Sequence, residues 1–376
     1  MKSLESWKNL TLMIGIIGAG CAVFSIPTLA DTAGNSIPGS RYSSGRAEAL
    51  GDAFLPLADD GASALFYNPA AIARFKEFRF EPMNVDFQMN QAFLGDLGKN
   101  SIKSPSLESY KSELNATPDQ RQSESFQLAP NLYFKGFAAG LLISDRTSGR
   151  YNSGPNTYSY TNQFYLIPAA GFGLPLAHGI VRVGYVAQYV QKSVTPGSVT
   201  VPASQANLGY DQGLQQGTAI SHNLGFALTL PVSSLPALNI VGRNLGGAHY
   251  HAGQLYGYAK SPTGAPSDDP MTFDASFSLQ PKVGNGTYMN LVLEGKDLSN
   301  RSKIAILGRV AAGLEFVARE SFFMRIGYGN GYPSAGFGFK THKGELSVTW
   351  FSEEVGGSYH AERDARFMFQ YQMRVF

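Results

Sequence analysis

The 376-residue chain has a single cysteine, Cys21, and it lies in an apolar stretch near the N-terminus. The portion beyond that stretch therefore has no disulfide framework and no thiolate chemistry. Charge is scarce as well. Asp, Glu, Lys and Arg make up 15% of the residues, against roughly 25% in soluble domains. Beyond residue 30 no apolar run is long enough to cross a bilayer as a helix, which takes about 20 residues. The net charge is only +2 and the basic residues are scattered, which argues against a nucleic-acid partner. Catalytic signatures are missing too: there is no G-x-S-x-G elbow, no H-E-x-x-H pair and no phosphate loop. Ser221 and His222 are neighbours in an alternating segment, so their side chains point to opposite faces and cannot form a dyad. His249 and His251 share a face, but no carboxylate stands at helpful ligand spacing. The expectation is a non-catalytic chain without a metal or a cofactor.

What is present in quantity is glycine (42 residues) and aromatic residues (12%). The order of these residues is more telling than their number. In the last eleven residues Phe367, Phe369, Tyr371, Met373 and Val375 alternate with Arg366, Gln370, Gln372 and Arg374. Successive side chains of a strand point to opposite faces, so the first set shares one face and the second set the other. The same period recurs in Met271–Gln280, Val181–Tyr189, Ile220–Leu230, Phe322–Tyr328 and Glu345–Trp350. Runs of about ten residues suit tilted strands that cross hydrocarbon. His222 falls on the apolar, lipid-side set of its segment.

Period-two reading predicts about fourteen strands. They lie near 77–89, 126–134, 136–144, 159–171, 179–190, 218–230, 237–245, 271–281, 287–297, 304–317, 321–329, 334–341, 344–351 and 365–376. The connections sort by length. Those at 90–125, 145–158, 191–217 and 246–270 are long, and those between are short or tight. Long loops on one side and tight turns on the other is the pattern of an outer-membrane barrel, which a soluble sandwich has no reason to follow. The expected fold class is all-β: a transmembrane antiparallel β-barrel of about 14 strands, with its lumen plugged by an N-terminal hatch.

The ends complete the division. Lys2 and Lys8, an apolar core from Leu10 to about Ile26 and Pro27-Thr28-Leu29-Ala30 read as a signal peptide over 1–30, cleaved before Asp31. Residues 31–75 then form the hatch and 76–376 the barrel. In the connection 90–125, Phe93, Leu94 and Leu97 are spaced irregularly among charges. They are expected to form an extracellular apolar lip on which a hydrophobic ligand first lands.

The hatch carries the chain's most specific signal: Ser43-Ser44-Gly45-Arg46-Ala47, then Ala58-Asp59-Asp60-Gly61-Ala62-Ser63-Ala64, then Asn68-Pro69-Ala70. In that order and position the segment resembles the N-terminal signature of the FadL/OmpP1/TodX superfamily of outer-membrane hydrophobic-compound transporters, which includes PorV-like barrels. Asn68-Pro69 is a turn signal in its own right, and Asp59-Asp60-Gly61 can cap a short helix. Arg46 can pair with such carboxylates or with a ligand carboxylate. The resemblance implies a fourteen-stranded barrel in the outer membrane of a Gram-negative bacterium, in contact with its lipid. It further implies passive uptake of long-chain fatty acids or other hydrophobic small molecules, gated by a hatch in which Arg46, Asp59, Asp60, Asn68, Pro69 and Ala70 are the residues of interest. The alternative within the same superfamily is a PorV-like barrel that binds exported proteins or serves as an assembly scaffold.

Overall fold

The computed structural model describes residues 41–96, 111, 114–205, 213–356 and 358–375. Fourteen wall strands follow one another. The first five are β1 (Arg79–Glu81 and Met83–Asn90), β2 (Arg121–Leu128 and Asn131–Phe134), β3 (Phe137–Asn152), β4 (Thr157–Leu176) and β5 (Val181–Val194). Next come β6 (Gln215–Thr229), β7 (Ala237–Arg243), β8 (Thr272–Leu279 and Lys282–Gly284), β9 (Thr287–Gly295) and β10 (Val310–Ala318). The last four are β11 (Phe322–Gly329), β12 (Tyr332–Lys340), β13 (Gly344–Glu354) and β14 (Arg363–Met373). Each pairs antiparallel with the next, and β14 returns to β1 with Phe369 opposite Phe87. The sheet therefore closes on itself and leaves no free edge.

Alternation fixes the two faces of the wall. Leu224, Phe226, Leu238, Ile240, Met324 and Ile326 are exposed on the outside, as a surface that meets lipid requires. Asn84, Asp86, Gln88, Gln370 and Gln372 are buried on the inside. His222 sits in the outer set between Ile220 and Leu224, with its Nδ1 2.6 Å from the Tyr185 hydroxyl.

All fourteen expected strands are present, and the differences lie at their ends. The connection expected over 145–158 is mostly strand: β3 runs to Asn152 and β4 starts at Thr157, so only residues 153–156 turn. Full-length pairing, with the Tyr151 and Tyr158 rings 5.1 Å apart, extends this hairpin. Conversely, β10 starts at Val310 rather than 304. The Asp297 carboxylate accepts from Ser299, Arg301 and Ser302, and Arg309 donates to the carbonyls of Asp297 and Ile304. These local bonds hold residues 297–309 in turns and one short helix (Ile306–Arg309), because such side chains compete with the ladder for backbone groups.

Candidate functional site

Residues 41–75 lie inside the barrel and touch the inner wall all the way round. Two short helices, α1 (Gly45–Ala49) and α2 (Gly61–Phe66), alternate with 3-10 turns at Leu55–Leu57 and Pro69–Arg74. Their side chains are small or apolar, and Ala47, Leu50, Phe54, Leu65 and Ile72 form a buried cluster with the wall's Ala138, Leu142, Val186 and Val241. A core this small cannot leave its backbone polar groups unpaired, and the wall supplies partners. Gln370 accepts from the Gly45 amide at 2.8 Å, and the Thr349 hydroxyl donates to the Gly45 carbonyl at 2.7 Å. Glu294 accepts from the Phe54 and Leu55 amides at 2.9 and 3.0 Å. Arg243, itself paired with Asp274 at 2.6 Å, donates to the carbonyls of Phe66 and Tyr67.

Each hatch residue expected to matter has a definite place. Arg46 makes a two-pronged ion pair with Glu315 of β10, 2.8 Å on each prong, and a second pair with Asp59 at 3.0 Å. Glu315 also receives Arg325 at 2.7 Å, and Arg325 reaches Glu345 at 3.3 Å. Arg46 is thus engaged by protein carboxylates and ties the hatch to the wall. Asp59 is half-exposed. Asp60 is buried and caps α2, accepting from the Ser63 amide at 2.8 Å and facing its hydroxyl at 2.6 Å. Burial, then the nearby charges of Glu81 and Asp59, pushes the Asp60 carboxyl up to about 7 against the pull of Ser63.

Asn68 caps the Pro69–Arg74 turn by accepting from the Ala70 amide at 3.1 Å. Its own amide donates to the Leu55 carbonyl at 2.8 Å and to Asn239 of β7 at 3.1 Å. Pro69 and Ala70 lie directly on the wall at two glycines that sequence reading did not single out. A Cβ on Gly184 would overlap the Pro69 carbonyl, and one on Gly225 would stand 2.6 Å from the Ala70 nitrogen. Gly327 and Gly329 receive Leu50 and Gly51 in the same manner across the lumen. Part of the glycine content is therefore a set of inward-facing strand positions where another backbone approaches closely.

The expected lip is only partly a surface. Helix α3 (Gln91–Asp96) carries Phe93 and Leu94. Phe93 is buried with Met89, Leu114, Tyr158, Tyr160 and Val201, and Leu94 is exposed. Leu97 lies outside the described residues. The connection 244–271 folds back so that Tyr258 stacks on Phe164 with ring centroids 4.1 Å apart. His249 in that connection pairs with Asp268 at 2.6 Å, a partner that spacing along the chain did not reveal. Among the described residues no group of three or more metal-ligating side chains occurs.

The closed fourteen-stranded wall, with residues 41–75 inside it, can be set beside solved structures. CymD, a monoaromatic hydrocarbon channel, superimposes with a TM-score of 0.50 over 90% of this chain and 97% of its own, at 9% identity. The fold is that of CymD. A FadL homologue from Pseudomonas aeruginosa (TM-score 0.42, 12% identity, 92% of this chain and 98% of its own) and a TodX monoaromatic hydrocarbon channel mutant (0.49, 10%, 84% and 94%) also match. Of these three, the CymD likeness is the one that bears on the fold. No family model and no curated protein matches the sequence.

Proposed function

We propose that this chain is an outer-membrane channel for passive uptake of hydrophobic or amphipathic small molecules, long-chain fatty acids foremost, in which residues 41–75 act as the gate. The observation that carries the reading is the occupied lumen inside an apolar outer wall. The hatch is held by hydrogen bonds, ion pairs and packing, all of which can be exchanged without covalent change. The proposal includes no catalytic step. CymD, whose fold the chain shares, is described as a hydrocarbon channel. A fatty acid gains roughly 0.8 kcal/mol for each methylene that enters an apolar phase, so a route into lipid rewards such a cargo where a watery pore would not.

The PorV-like scaffold reading has one observation in its favour. The small cavity beside the hatch is lined mostly by polar groups (Arg41, Gln188, Asn223, Arg243 and Asn244), with Tyr42 and Phe66 beside them, a poor fit for a long apolar tail. Uptake decides between them. Cells lacking their own transporter and expressing this chain should accumulate a labelled long-chain fatty acid. Deleting Asn68-Pro69-Ala70 should abolish accumulation while the barrel still shows heat-dependent gel mobility. A folded wild-type barrel that accumulates neither a fatty acid nor a monoaromatic hydrocarbon would remove the channel reading.

A further inference from the structure

At the tight-turn end of the lumen two arginines, Arg74 and Arg182, lie close enough for their charges to repel, and neither makes an ion pair with the described residues. The Pro69–Arg74 turn descends along β4 and β5: Pro69 lies over Gly184, and the Ala73 amide lies over Gly173. Gly173 and Gly184 are opposite each other in the ladder, and Pro175 is opposite Arg182. Arg182 therefore occupies the next inward position below Gly184, where the turn delivers Arg74. Arg182 is 9% exposed, and among the described residues its charged group has one partner, the Thr229 hydroxyl at 2.6 Å. Arg74 donates to two carbonyls, Ala58 at 3.3 Å and Pro56 at 3.1 Å. The Nε of each is buried without a hydrogen-bond acceptor, and neither makes an ion pair with the described residues. Asp59, whose charge also reaches Arg74, is drawn instead to Arg46 at 3.0 Å. Burial, and then the Arg182 charge, pushes Arg74 down to about 9.

Two partly desolvated guanidinium groups that repel each other are costly to the fold unless something compensates them. Every other buried arginine of the hatch contact meets a carboxylate: Arg41 meets Asp269, Arg46 meets Glu315 and Arg243 meets Asp274. We infer that Arg74 and Arg182 form a carboxylate-binding site beneath the hatch, with one guanidinium from the hatch and one from the wall closing on the same anion. A guanidinium presents a planar fork that matches a carboxylate with two hydrogen bonds. The identity of the ligand, the head group of a long-chain fatty acid, rests on the channel reading above, whereas the site rests on the two arginines. Because one arginine belongs to the hatch and one to the wall, a bound carboxylate also fixes how this end of the hatch is seated.

The test uses the purified full chain in maltoside micelles, with carboxyl-labelled oleate, methyl oleate and inorganic phosphate as probes. Oleate should bind about tenfold or more tightly than its ester, the scale of charged hydrogen bonds. Arg74→Gln with Arg182→Gln should reduce oleate binding to the level of the ester and leave the ester unchanged. Arg74→Lys with Arg182→Lys, which keeps the charges and loses the forks, should fall between. Equal binding of acid and ester by the wild type would overturn the site without recourse to any variant. Phosphate binding that displaces no oleate, and that the paired glutamine change abolishes, would assign the arginines to a free inorganic anion and overturn the carboxylate assignment. Loss of uptake with the acid–ester preference intact would remove the channel reading and leave the site standing.

Discussion

The hatch meets the wall in two different ways, and the contrast shows which contacts are built to give. At Arg46 the attachment is electrostatic: one hatch guanidinium and the wall's Arg325 share Glu315, with Asp59 and Glu345 completing the cluster. At Asn68–Ala70 the attachment is one of shape, a capped turn laid on Gly184 and Gly225 close enough to exclude any side chain there. The first contact responds to charge and the second to volume. The largest expected effect comes from the charged side. Glu315→Ala strips the shared partner from two arginines, and Arg325 is wholly buried, so the change should cost about 3–5 kcal/mol, the usual penalty for leaving buried charge uncompensated. Limited trypsin digestion should then cut after Arg46, a bond expected to be protected in the wild-type protein. Continued protection of that bond would show that Glu315 does not hold the hatch.

The shape contact is tested next. Gly184→Val places branched carbon where the Pro69 carbonyl lies, and overpacking of this kind costs about 1–3 kcal/mol. The wall should still close, seen as normal heat-dependent mobility, while the Asn68–Arg74 turn becomes a proteolysis site. Should the variant stay protected, the close approach at Gly184 is not what seats the turn. Asn68→Ala is milder, since it removes the cap and the bonds to Leu55 and Asn239 but no bulk. A loss of about 1–2 kcal/mol is expected, read as a lower midpoint for hatch release in urea with the barrel transition unmoved.

These two attachments were not equally legible in the sequence. The wall was, because period-two alternation reports both a strand and its faces, and Phe369 and Gln370 announce lipid and lumen without reference to any other residue. The two caps were legible too: Asp60-Gly61 and Asn68-Pro69 are local signals, and both side chains accept the bonds that such signals foretell. What could not be read is whatever depends on a partner far along the chain. Gly184 and Gly225 look like weak points in a strand until Pro69 and Ala70 lie against them. Glu294 and Glu315 are conspicuous as acids on inward strand positions, yet nothing local says that one accepts from two hatch amides while the other is shared by two arginines. The extended β3–β4 hairpin was missed because its outer half is polar and reads as loop, although its tyrosines and threonines sustain the ladder.

The smallest effect separates the two attachments by pH. Asp60 belongs to neither, but it caps the helix that lies between them, and its carboxyl titrates near 7 in the folded protein against an ordinary value of 3.8. Between those values the folded state holds the extra proton. The stabilisation is therefore complete below pH 3.8 and is lost as the pH rises through about 7. Hatch release in the wild type should become progressively easier between about pH 4 and 7 and change little above that. Asp60→Asn preserves an acceptor for the Ser63 amide but cannot ionise, so its release should be flat across that range while the Glu315 and Gly184 effects persist unchanged. A wild-type profile as flat as that of the asparagine variant would mean that Ser63 keeps Asp60 ionised throughout, and that the hatch attachments are blind to pH between about 4 and 7.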